Sequence, residues 1–232
     1  MALVHDKTLR GRTRIGWLDS HHTFSFGGWN DPARMGHRAL RVLNDDVVAP
    51  GAGFGRHGHQ EMDIVTYVIS GALQHGDSMG NQSVIKAGEF QHMYAGTGVL
   101  HSEMNASDTE EVHFLQIWIV PERTGGQPSY FQIEVDLDSQ RNSFLPVAGP
   151  EQNERQAMLR SDTHIYMARV DDGATISKDF APGRAGFLQV VSGMVDVEEN
   201  RLSAGDGLQF ESTPLCQVTA GSEAELMLFD LA

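Results

Sequence analysis

The sequence has one cysteine, Cys216, so no internal disulfide can form. A disulfide-stapled secreted domain is excluded, and a reducing, cytoplasmic setting is expected. Long apolar runs are missing as well. IVTYVI at 64–69 and FLQIWIV at 114–120 fall far short of the roughly 20 residues a membrane-spanning helix needs. The opening MALVHDKTLRGRTR has no apolar core of the kind a signal peptide carries, so none is expected. Positive charge is scarce: 17 Lys and Arg against 31 Asp and Glu leave a net charge of −14. That balance argues against direct binding of nucleic acid or an anionic membrane, and leaves room for a basic protein partner. Helical periodicity is nearly absent; NERQAMLRS at 153–161 is a weak candidate and reads equally as a loop entering a strand. No G-x-S-x-G occurs, and GFGRHG at 53–58 is followed by no Lys-Ser/Thr, which leaves no support for a serine hydrolase or a phosphate loop.

What the chain does contain is short β-branched segments punctuated by glycine. ALRVLNDDVV (39–48), DIVTYVISG (63–71), VHFLQIWIV (112–120), FLQVVSGMVDV (187–197) and ELMLFDL (225–231) read as strands. Gly, Asn, Asp and Ser fill the turns between them. The fold class is all-β, a sandwich or barrel. The pattern also repeats: YVISG ending at Gly71 and VIKAGEF at 84–90 return as QVVSG ending at Gly193 and NRLSAGDGLQF at 200–210. Four of the eight prolines lie within 121–150, the natural linker. The expected organisation is a metal-binding N-terminal domain over 1–122, a linker and the start of the second domain over 123–150, and a C-terminal domain over 151–232.

Ten of the 11 histidines lie in the first half. HGH at 57–59 puts two imidazoles at i and i+2, on one face of a strand. HSE at 101–103 does the same with an imidazole and a carboxylate. If the two segments are neighbours, three nitrogens and one oxygen converge in a set suited to a divalent first-row metal. Period-two arithmetic leaves the carboxylate open, since Glu61 and Asp63 follow His57 and His59 in the same phase. An isolated HxH more often marks two half-exposed histidines, but the surrounding glycines suit the mouth of a narrow barrel.

The order Gly51, His57, His59, Asp63, Gly71 and then Gly88, Gly96, Thr97, Gly98, His101, Asn105 is close to the two cupin motifs, with Gly96 where proline is usual. The string LDSHHTFSF…ALRVLNDDVV…GFGRHGHQEMDIVTYVISGALQHGDSMGN…AGEFQHMYAGTGVLHSEMN closely resembles the pirin family of the cupins, over roughly residues 10–122. This resemblance implies a bicupin, two antiparallel jelly-roll-like β-barrel domains packed together. It implies one divalent transition metal ion (Fe, Ni, Cu, Mn, Co or Zn) held by His57, His59, His101 and Glu103, with Glu103 also the catalytic base. The activity it implies is oxygen-dependent ring opening of a flavonol such as quercetin, with carbon monoxide released. The partners are then a small aromatic substrate and dioxygen, in a monomer or weak dimer. Eukaryotic pirins resemble a second possibility, a non-catalytic metal-binding regulator that acts through protein partners; a third is another cupin enzyme, an isomerase or decarboxylase, using the same ligands.

Aligning the repeats puts Asp179, Ala181 and Val218 where the first copy has His57, His59 and His101, so the second barrel is expected to bind no metal this way. Among the remaining residues, His75 reads as a turn residue, and His92 and His113 as packed or exposed strand positions. Phe24 and Phe26 read as core more readily than as cavity lining, and Cys216 as a buried, unreactive thiol.

Overall fold

The computed structural model describes every residue except Met1, Gln152 and Thr213. It contains strands and one three-residue 3-10 turn, Lys7–Leu9, with no α-helix among the described residues. Among the described residues, no helix is long and apolar enough to cross a membrane. Two compact units emerge: Gly11–Val135 with Leu159–Ser161, and Met1–Arg10 with Asp136–Met158 and Asp162–Ala232.

The first unit combines a seven-stranded and a four-stranded sheet. The larger runs in the spatial order Ser129–Glu134, Glu89–Tyr94, Asp63–Ser70, Val112–Ile119, Leu40–Val48, Leu18–His22, Gly11–Ile15. The smaller runs Gly53–His59, Val99–Asn105, Ala72–Asp77, Gln82–Lys86. All of these pairs are antiparallel. Alternation sets the inward face: along Leu40–Val48 the residues Leu40, Val42, Asn44, Asp46 and Val48 are buried, while Arg41, Asp45 and Val47 are half-exposed. Register then stacks the inward side chains in rows. Val42, Trp118, Ile64 and Met93 form one row, and Asn44, Gln116, Thr66 and Gln91 form a polar row beside it. A slip of one residue would turn both rows outward, so the pattern fixes the register.

The second unit repeats the plan with sheets of seven and four strands. Its interior is apolar: Val218, which stands in for the third histidine, is fully buried with Ile176, Leu188, Val190 and Leu226. Burying such a side chain stabilises by about 1.5–3 kcal/mol. The duplication is visible in the backbone. Gly71 has φ +76 and Gly193 has φ +79, and a Cβ on either would collide with the backbone entering a neighbouring strand, at Glu111–Val112 and at Glu223–Ala224. Only glycine meets both demands without strain.

The units are less contiguous in sequence than a division near 121–150 assumes. Ala2–His5 pairs with Gly207–Glu211 and so extends a sheet of the second unit. Ser129–Glu134, inside the expected linker, pairs with Glu89–Tyr94 at the edge of the first. In both cases the added strand covers a sheet edge that would otherwise expose unpaired amides. Residues 153–161 form no helix; Ala157–Met158 is a two-residue strand beside Leu145–Gly149.

Candidate metal centre

His57 and His59 lie on Gly53–His59 and His101 on the adjacent Val99–Asn105, where His101 pairs directly with His57. A ligating atom from each ring falls within 4.8 Å of the others. His57 Nδ1 donates to Gly55 O at 2.8 Å, which leaves Nε2 of the neutral ring as the lone pair. That Nε2 stands 3.0 Å from His101 Nε2. Burial, helped by the neighbouring His57, pulls the His59 pKa down to about 4. Burial likewise pulls His101 down to about 3, with His57, His59 and His75 adding to the effect. Both rings are therefore neutral at physiological pH, with lone pairs free for a cation. Three imidazoles converging in a cavity lined by no Lys or Arg fit a first-row divalent ion.

The three candidate carboxylates are engaged differently. Asp63 is buried and fully engaged: Oδ1 lies 2.8 Å from His92 Nε2 and Oδ2 accepts Arg160 N–H at 2.9 Å. Glu61 accepts Gly125 N–H at 2.7 Å and the Tyr94 hydroxyl at 3.3 Å. Glu103 shares a cavity of about 240 Å³ with His57 and His59. Gln116 Nε2 donates to its Oε2 at 2.8 Å. Thr66 Oγ1 stands 3.2 Å from its Oε1 and 2.7 Å from Gln116 Oε1. The hydroxyl owns a single proton, which the two oxygens share. Burial favours the protonated carboxyl: it pushes Glu103 up to about 7 against the pull of the Thr66 and Gln116 hydrogen bonds.

The rest of the cavity is amphipathic. Leu18, Phe26, Phe54 and Trp118 supply apolar surface, and Ser20, His22, Asn44 and Asp46 supply a polar wall. Trp118 packs edge-on against His59 at 5.0 Å and against Phe26 at 5.4 Å. Asp46 is also pushed up to about 7, first by burial and then by the charges of Asp45 and Glu103, against a hydrogen bond from Ser20.

Several placements differ from the sequence expectation. His75 is no turn residue: it is buried in Ala72–Asp77, opposite Glu103 in register. Its ring lies 5.6 Å from His101 and 4.8 Å from Tyr130, and its Nε2 is 3.0 Å from Asp77 Oδ2. Its alternation with Asp77 in HGD was the available signal. Phe26 lines the cavity, while Phe24 is core. His92 is tied to Asp63, and His113 to Asp45 at 2.5 Å. Cys216 is buried, its thiol pushed up to about 12, which suits the unreactive reading.

Comparison with known proteins agrees with this architecture. Residues 5–119 match the family described as Pirin, and residues 146–231 match the quercetinase C-terminal cupin domain. The chain is 43% identical over 223 residues to a quercetin 2,3-dioxygenase of Escherichia coli K12, covering 96% of this chain and 95% of that protein. It is 37% identical over 218 residues to a pirin-like protein of Caulobacter vibrioides, covering 94% of each. Among solved structures, the bacterial pirin YhhW of E. coli in complex with nickel(II) superposes with a TM-score of 0.95 at 40% identity, covering 100% of this chain and 99% of that one. Both cupin halves, the converging histidines and these relatives lead to one conclusion: the chain belongs to the pirin family and is a bicupin.

Proposed function

We propose that the protein is a metal-dependent dioxygenase that opens the ring of a flavonol such as quercetin, using one divalent first-row ion at His57, His59, His101 and Glu103. The observation that carries this reading is the convergence of three imidazoles beside a buried carboxyl at one end of an amphipathic cavity. The names of the E. coli relative and of the nickel-bound YhhW structure support it. The bound ion would supply Lewis acidity, lowering the pKa of a substrate enol. Glu103 is the carboxylate placed to take the enol proton. Gln116 and Thr66 hold that carboxyl in place. Phe26, Phe54 and Trp118 flank the aromatic rings and keep water from them. The second barrel, with Val218 at the place of a ligand, contributes no metal. Availability in a reducing cytoplasm, where we place the protein, decides which ion fills the site, iron included.

Elemental analysis of protein purified without chelator, joined to quercetin incubations with and without oxygen, tests the proposal. The expected result is bound metal that falls in His57→Ala and Glu103→Ala, and flavonol absorbance lost only when oxygen is present. No oxygen-dependent loss with Fe, Ni, Cu, Mn or Co supplied would refute the activity. Unchanged metal content in both variants would refute the ligand set.

A further inference from the structure

The cavity has a polar wall that the ligand set leaves unused. Ser20 and His22 on Leu18–His22 stand opposite Asp46 and Asn44 on Leu40–Val48. Most of this wall is satisfied internally. His22 Nδ1 lies 2.8 Å from Asn44 Oδ1, its Nε2 2.9 Å from Thr13 Oγ1, and Ser20 Oγ 3.3 Å from its Nδ1. Asp46 is the exception. It is 3% exposed and lines the cavity, Ser20 hydrogen-bonds its carboxyl, and yet its Oδ1 has no hydrogen-bond partner.

A buried carboxyl oxygen left without a partner is rare, because it forfeits its bonds to water. Asp46 itself lines the cavity, and a turn of its carboxyl about χ2 is what would bring this buried oxygen to a partner there. The chemistry of that partner is constrained. A carboxyl oxygen that carries no proton only accepts hydrogen bonds, so a donor is required. Phe26, Phe54 and Trp118 line the same cavity, so an aromatic ring held among them would bring its ring hydroxyls within reach of the polar wall.

We propose that Asp46 is the hydroxyl-recognising residue of this cavity, its Oδ1 accepting a hydrogen bond from a ring hydroxyl of the substrate, so that richly hydroxylated aromatics are selected over sparsely hydroxylated ones. The inference rests on the flavonol reading above and adds a basis for choice among flavonols. A pocket built to bond a hydroxyl rejects the analogue lacking it, because the oxygen is then buried unpaired.

The test is equilibrium binding to the metal-loaded full chain without oxygen, read from flavonol absorbance, so that turnover plays no part. The two probes are quercetin and the flavonol stripped of every hydroxyl except the enol. Wild type is expected to prefer quercetin by about tenfold or more. Asp46→Ala should lose most of that preference, with the stripped flavonol's Kd changing less than about threefold. Asp46→Asn should keep part of it, because its side-chain carbonyl still accepts. Metal content and tryptophan fluorescence of both variants should match wild type. The proposal is overturned if Asp46→Ala keeps the full preference, if it weakens both probes equally, or if it loses metal, which would make Asp46 part of the metal shell. If wild type binds neither probe, the flavonol reading itself falls and takes this inference with it.

Discussion

Replacing Asp46 with Asn should stabilise the metal-free first unit at alkaline pH, although a buried polar contact is being altered. Burial holds the folded carboxyl's pKa near 7, against 3.8 as its ordinary value. Between those values the folded state keeps a proton that the unfolded state has released, so stability falls as pH rises from about 4 to about 7. Roughly three pKa units at 1.36 kcal/mol each give about 4 kcal/mol, fully developed above about pH 8. Asn carries no such penalty, and a partly unpaired amide costs roughly 1 kcal/mol. The net expected gain is about 2–3 kcal/mol at pH 8, shrinking toward zero or slightly below it near pH 4. Urea unfolding followed by tryptophan fluorescence measures this cleanly, because Trp17, Trp29 and Trp118 all lie within the first unit. Parallel pH dependence in wild type and variant, or a variant less stable at pH 8, would refute the reasoning.

Adding Ni(II), Cu(II) or Fe(II) should quench tryptophan emission, since the Trp118 ring sits 5.0 Å from that of His59; Trp118→Phe should lose most of the titratable signal while binding the same amount of metal. Thr66→Val removes a hydrogen bond that lowers the Glu103 pKa. Because the proposed base must be ionised, the acid limb of the pH–rate profile should move to higher pH, with the largest loss of kcat below neutrality. Gly71→Ala and Gly193→Ala should each destabilise their own unit by about 1–3 kcal/mol from backbone strain alone, with more from the collision at the neighbouring strand. Fluorescence reports the first and circular dichroism the second; an alanine tolerated at either position would contradict the required positive φ.

Much of the site was legible because its signals are local. HGH and HSE each place two candidate ligands on one strand face, and strand pairing brings His101 opposite His57. The repeat was legible because Gly71 and Gly193 meet the same backbone demand in both copies. The choice among Glu61, Asp63 and Glu103 was not legible from period two alone. It depends on Gly125, His92 and the Arg160 amide, which lie far from these residues in sequence. The polar wall escaped for the same reason: Ser20, Asn44 and Asp46 look like ordinary strand polars until their register turns them inward beside Glu103 and Gln116. The placement of Ala2–His5 depends on a pairing with residues some 200 positions away, and local sequence carries no trace of it.

That last pairing has a consequence for biosynthesis. Ala2–His5 finds its partner strand only when Gly207–Glu211 has been made. At roughly 5–20 residues per second, the intervening 200 or so residues take on the order of 10–40 s. During that interval the first unit can close around its histidines, while Leu3 and Val4, still about half exposed in the finished fold, remain an open strand edge. The sheet of the second unit therefore gains its outer strand only late in synthesis, and a fragment starting after residue 10 would leave Gly207–Glu211 as a bare sheet edge.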